Sequence, residues 1–120
     1  MRQKKILIVD DNEALCENLV DILELKEYEV TIVYDGAKAI ETVKNGEFNI
    51  VLMDVNMPGL NGIETLRILK QIAPDLAVIM ITAYADDIFY KEGIKSSDYK
   101  VIQKPIDIDK LLIHLEDIKI

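Results

Sequence analysis

Apolar residues gather in five short runs along the chain, at residues 5–9, 30–33, 50–53, 77–81 and 101–102. Most of these runs are continuous rather than alternating, the pattern of strands buried on both faces of a parallel sheet. Between them the apolar positions change to helical spacing. Leu15, Leu19, Ile22 and Leu23 form one stripe, Ile63, Leu66, Ile68 and Leu69 a second, and Ile108, Leu111, Leu112, Leu115 and Ile118 a third. Turn residues punctuate the alternation: Asp35-Gly36 before the second helical segment, Asn45-Gly46 after it, Pro58-Gly59 and Asn61-Gly62 before the third, and Pro74-Asp75 after that. The chain therefore reads as a βα unit repeated five times. Strict alternation at this length predicts an open, doubly wound α/β sheet with right-handed crossovers, two helices on one face and three on the other. An eight-stranded barrel would need about twice the residues.

Length and composition narrow this further. The 120 residues, 13.7 kDa in all, suffice for one hydrophobic core, so residues 1–120 are read as a single domain. Half the residues are hydrophobic and 30% charged, which describes a folded globular chain rather than a disordered one. No apolar run approaches the roughly 20 residues that span a bilayer, and the opening Met-Arg-Gln-Lys-Lys leads into only a short apolar stretch, so neither a membrane span nor a secretory signal is expected. The single Cys16 cannot form an internal disulfide, which suits a reducing cytoplasm. A formal net charge of −8 argues against direct nucleic-acid binding, which depends on clustered Lys and Arg.

Charge matters more for where it falls. In doubly wound sheets ligands bind beyond the carboxyl ends of the strands, where strand order reverses. The first apolar run ends in Asp10-Asp11, the third in Asp54, the fourth in Thr82 and the fifth in Lys104-Pro105; only the second offers nothing comparable. If the strand order is 2-1-3-4-5, the four contributing strands are neighbours and their polar ends converge. Three crowded carboxylates repel unless a cation or protons intervene. Oxygen ligands without a Cys or His set suit magnesium better than zinc, and magnesium with open positions accepts phosphate oxygens. Asp54 can then serve as a nucleophile, Lys104 as a point charge on a phosphoryl oxygen, and Thr82 as a hydroxyl donor.

Taken together, Ile6-Leu7-Ile8-Val9-Asp10-Asp11, the stretch from Val51 through Asp54, Asn56 and Pro58 to Gly62, Ile81-Thr82-Ala83-Tyr84 and Gln103-Lys104-Pro105 closely resemble the receiver domains of two-component response regulators. The resemblance covers the whole chain and is strongest to small stand-alone receivers such as the sporulation phosphorelay intermediate. It implies a flavodoxin-like three-layer sandwich with sheet order 2-1-3-4-5. It implies that Asp54 is the phosphoacceptor, that Asp11, Asp54 and the backbone carbonyl of Asn56 hold Mg2+ directly, and that Asp10 acts through a water. Thr82 and Lys104 would contact the phosphoryl group, with a cis bond between Lys104 and Pro105. The implied partners are a histidine kinase or histidine phosphotransfer protein, meeting the flank of the first helix near Asn12, Ala14, Leu15 and Asn18, and a downstream protein target. The chain starts with Met1 and stops after the last helix, which favours a stand-alone regulator.

Two departures from the family pattern stand out. Val101 occupies the place, three positions before the lysine, where the family often carries an aromatic residue. Gly93 falls inside the fourth helical segment and Ser97 stands at its usual terminal glycine, so residues 85–98 are expected to form a short helix. Each site residue has an ordinary reading alone: Asp10 or Asp11 as a helix cap, Thr82 as a strand-end residue, Lys104 as a solvated lysine. Their order and spacing as a set carry the argument. His114 is read as a packing residue, and Tyr90 and Tyr99 likewise. The alternative function is a magnesium-dependent small-molecule phosphohydrolase with an Asp nucleophile, against which stands the lack of an Asp-x-Asp-x-Thr stretch. A flavin carrier would need a Ser/Thr/Gly-rich phosphate loop after the first strand, where Asp11-Asn12-Glu13 stands instead.

Overall fold

The computed structural model describes residues 4–55, 62–82 and 99–118. In chain order these form β1 (Lys5–Val9), α1 (Glu13–Leu25), β2 (Glu29–Val33), α2 (Gly36–Asn45), β3 (Ile50–Asp54), α3 (Gly62–Ile72), β4 (Ala77–Thr82), β5 (Lys100–Gln103) and α4 (Ile108–Asp117). The five strands make one parallel sheet in the order β2-β1-β3-β4-β5. The segment expected as a helix at 85–98 lies outside the described residues, as do Tyr84 and Tyr90.

The continuous apolar runs are continuous because the sheet is covered on both sides. Successive side chains of a strand point to opposite faces, and here each face has its own core. Leu7, Val9, Val51, Met53, Val78 and Met80 pack with Ala39 and Val43 of α2 and Ile63, Leu66 and Leu69 of α3. Ile6, Ile8, Ile50, Leu52, Ile79 and Ile81 pack with Cys16, Leu19 and Leu23 of α1 and Leu111 and Leu115 of α4. The central strands β1, β3 and β4 are buried almost throughout, whereas the edge strands β2 and β5 keep exposed positions such as Thr31 and Lys100.

Helix boundaries follow local chemistry. Asn12 caps α1 by accepting from the Leu15 amide, Asp35 caps α2 from the Lys38 amide, and Asp107 caps α4 from the Asp109 and Lys110 amides. The cap of α1 is thus Asn12 rather than Asp10 or Asp11, which leaves both aspartates to the strand end. The buried stripe of α1 centres on Cys16, Leu19 and Leu23, with Leu15 and Ile22 on its half-buried flanks. The chain leaves α1 through a left-handed residue, Glu27 at φ 68°, which lets the Glu27 and Tyr28 amides reach the Glu24 and Leu23 carbonyls.

Candidate functional site

Strand register brings the polar residues together. Val9 pairs with Met53 and Asp54 with Ile81, so Asp10 and Asp54 leave the sheet at the same level on neighbouring strands. The Asp10 amide donates to the Val33 carbonyl, the Val55 amide to Ile81, and the Lys104 amide to Thr82 at 2.7 Å. These bonds carry the ladder one step past the side chains and fix the strand ends. Asp10, Asp54 and Thr82 are buried, while Asp11 is exposed.

Carboxylate oxygens of Asp10, Asp11 and Asp54 lie within 4.8 Å of one another. Lys104 reaches over from the end of β5, its Nζ 3.1 Å from Oδ2 of Asp54. The Lys104–Pro105 bond is cis, as the resemblance implied. Asp10 divides its oxygens. Oδ1 accepts the Asn12 amide at 2.9 Å, whereas Oδ2 is buried and, among the described residues, lacks a hydrogen-bond partner. Burial pushes the Asp10 carboxyl above its ordinary range, the Asn12 amide opposes that, and the neighbouring Asp54 and Asp11 charges add to the rise. An orphaned buried carboxylate oxygen beside two further carboxylates is a ligand set for a hard cation, and three oxygens at this spacing fit one small ion. Beneath the site the Cys16 thiol contacts the Asp10 carbonyl at 3.6 Å; burial first, then the Asp10 and Asp11 charges, hold it up at about 11, so it remains a neutral packing group.

Of the expected site residues, the structure therefore assembles Asp10, Asp11, Asp54 and Lys104, and sets Thr82 at the adjoining end of β4. Asn56 lies outside the described residues. Val101 is half-buried against the core on the α2–α3 face, where Tyr99 also packs. His114 is half-buried too, and lines an open cavity of about 850 Å³ with Lys104, Lys110 and others from β5 and α4. Two features escaped the reading of residue types: the backbone amide of Asn12 that holds Asp10, and the packing of Gly62 against Asp54. Amides carry no sequence signal, and Gly62 reads only as a turn residue until its neighbours in space are known.

A doubly wound sheet with an acidic cluster and a lysine at its carboxyl edge defines a class of phosphate- and cation-handling folds. Comparison with known proteins narrows that class: residues 6–116 match the response regulator receiver domain family, and the chain belongs to it. It is 36% identical over 96% of its length to the transcriptional regulatory protein ZraR of Klebsiella oxytoca, of which it spans only 26%. It is 34% identical to the response regulator receiver protein CpdR of Brucella abortus, covering 94% of both chains. Among solved structures, the response regulator protein TrrA of Thermotoga maritima, in complex with Mg2+ and BeF, superposes with a TM-score of 0.85 at 26% identity, over 98% of this chain and all of that one. The chain is thus a receiver domain of two-component signalling. The phosphohydrolase reading finds no support in this family. Among the described residues no helix is long and apolar enough to cross a membrane.

Proposed function

We propose that Asp54 accepts a phosphoryl group from a phosphohistidine on a histidine kinase or histidine phosphotransfer protein, in a Mg2+-dependent reaction, and that the aspartyl phosphate switches or relays to a partner protein. The observation that carries this reading is the ion pair of Lys104 with Asp54 beside the oxygens of Asp10 and Asp11. In the transfer an Asp54 carboxylate oxygen forms the new P–O bond while the P–N bond of the donor breaks, its electron pair leaving on the imidazole nitrogen. Lys104, already at the carboxylate, follows the charge onto a phosphoryl oxygen, and the Thr82 hydroxyl donates to another. Asp10, Asp11 and Asp54, joined by Asn56, would hold a magnesium ion. When bound, the ion would neutralise the crowded carboxylates and draw charge from the phosphoryl oxygens. TrrA, solved with Mg2+ and BeF, supports the ion and the phosphoryl-like ligand for this fold.

The chain's own catalysis is confined to taking up the phosphoryl group and slowly losing it to water. The net charge of −8 leaves nucleic-acid contact, which the name of ZraR suggests for that protein, to regions outside a domain like this one. The test uses a small acyl phosphate with and without Mg2+, read by intact mass. A single Mg2+-dependent, base-labile phosphoryl adduct that Asp54→Asn abolishes is the expected result. A folded wild type that gains no adduct overturns the reading.

A further inference from the structure

The first turn of α3 sits directly on the backbone that carries Asp54. Gly62 opens that helix, is buried, and donates its amide to the Val55 carbonyl at 3.0 Å. A Cβ placed on Gly62 would lie 2.5 Å from the Asp54 carbonyl oxygen, 2.8 Å from the Val55 Cα and 3.1 Å from the Val55 carbonyl oxygen. All three are main-chain atoms, so no rotamer change relieves the overlap. Either the helix backs away or the end of β3 moves. That strand end is also tied sideways, by the Val55 amide to the Ile81 carbonyl, next to Thr82. A push on the Asp54 carbonyl is therefore passed to the carboxylate that meets Lys104 at 3.1 Å and to the strand that presents Thr82.

We infer that Gly62 is a positioning residue for the phosphoacceptor: having no side chain, it lets α3 butt against the Asp54 main chain and hold the carboxylate in register with Asp10, Asp11 and Lys104. This rests on the reading of Asp54 given above. Reacting groups tolerate little misplacement, and a shift of about 1 Å can slow a reaction roughly a hundredfold. Gly46, which follows α2, differs. A Cβ there first meets the Phe48 ring at 3.2 Å, a side chain that can yield, and then the Thr42 carbonyl at 3.4 Å, an ordinary contact.

The experiment compares wild type, Gly62→Ala and Ile63→Ala. Ile63 is a buried core residue of the same turn, so truncating it loosens α3 without placing an atom against Asp54. All three are assayed in trimethylamine N-oxide, which favours the folded state, with folding checked by circular dichroism. Mg2+ affinity is read by titration, and adduct formation from a small acyl phosphate at saturating Mg2+ by intact mass. Gly62→Ala is expected to stay folded, to take up the phosphoryl group about ten- to a hundredfold more slowly and to bind Mg2+ several-fold more weakly. Ile63→Ala should be less stable yet near wild type in both site readouts. Equal losses in the two variants, or wild-type behaviour of Gly62→Ala, overturn the assignment while leaving Asp54 as phosphoacceptor. So does a Gly62→Ala chain that never folds, because the glycine then serves the fold as a whole. A wild type that gains no adduct removes the reading of Asp54 and this inference together.

Discussion

Asp10 holds one carboxylate oxygen on the Asn12 amide and leaves the other buried without a partner among the described residues, within reach of two more carboxylates. Such an arrangement favours ligand binding at the expense of the empty fold. Because the folded protein holds the Asp10 carboxyl above its ordinary value, the native state keeps that proton longer than the unfolded chain does. The contribution of Asp10 to stability is therefore fully present below the usual carboxylate range and lost as pH rises through the raised value. In metal-free buffer near neutral pH, Asp10→Asn is expected to be more stable than wild type by about 1–3 kcal/mol, because the amide removes a buried charge crowded by two other carboxylates. The gap should close as pH falls. Urea denaturation in chelator across the acid range measures both, and a variant less stable than wild type at neutral pH contradicts this account.

At the scale of elements, the turn after α1 carries a local strain that the sequence could relieve. Glu27 adopts φ 68° so that the amides of Glu27 and Tyr28 satisfy the last carbonyls of the helix, with Tyr28 and Leu23 packed into the same core. A side chain in this conformation costs about 1 kcal/mol that glycine avoids. Glu27→Gly should therefore raise the unfolding free energy by up to about 1 kcal/mol, visible as a higher urea midpoint at unchanged slope. Phosphoryl uptake should be unaltered, since the turn lies at the end of α1 remote from its Asn12 cap and the site. Asp35 was legible as a helix start from residue type, whereas the cap of α1 fell on Asn12 rather than on Asp10 or Asp11. The turn at Glu27 was not, because neither Lys26 nor Glu27 is a usual left-handed residue.

For the whole molecule, an ion held by the acidic cluster would couple binding to folding. A ligand that binds only the native state adds stability that grows with the logarithm of its concentration relative to its dissociation constant, about 2.7 kcal/mol at a hundredfold excess over that constant. Millimolar Mg2+ should thus raise the melting temperature, whereas NaCl matched in ionic strength should raise it far less, since screening lacks the specific ligands. Asp11→Asn should remove most of the Mg2+ response, as Asp11 carries one of the three oxygens. Differential scanning calorimetry checks both; an equal response to the two salts would mean that the cluster is not an ion site.

The order and kind of the described elements, and the set of reactive groups at their ends, were determined by the sequence itself. A strand covered on both faces needs an unbroken apolar run, and Asp10, Asp11, Asp54, Thr82 and Lys104 each stand within two residues of the end of an apolar run. The resemblance to receiver domains rests on those same residues. Tertiary structure alone decided which core each side chain joins, that one Asp10 oxygen is orphaned while the other is held by an amide, that Lys104 pairs with Asp54, and that Gly62 bears on the Asp54 carbonyl. Each depends on strand register and on the docking of helices across long sequence separations. A residue type records what a group can do, whereas its distance to a partner in another element is set only when the sheet and its covering helices pack together.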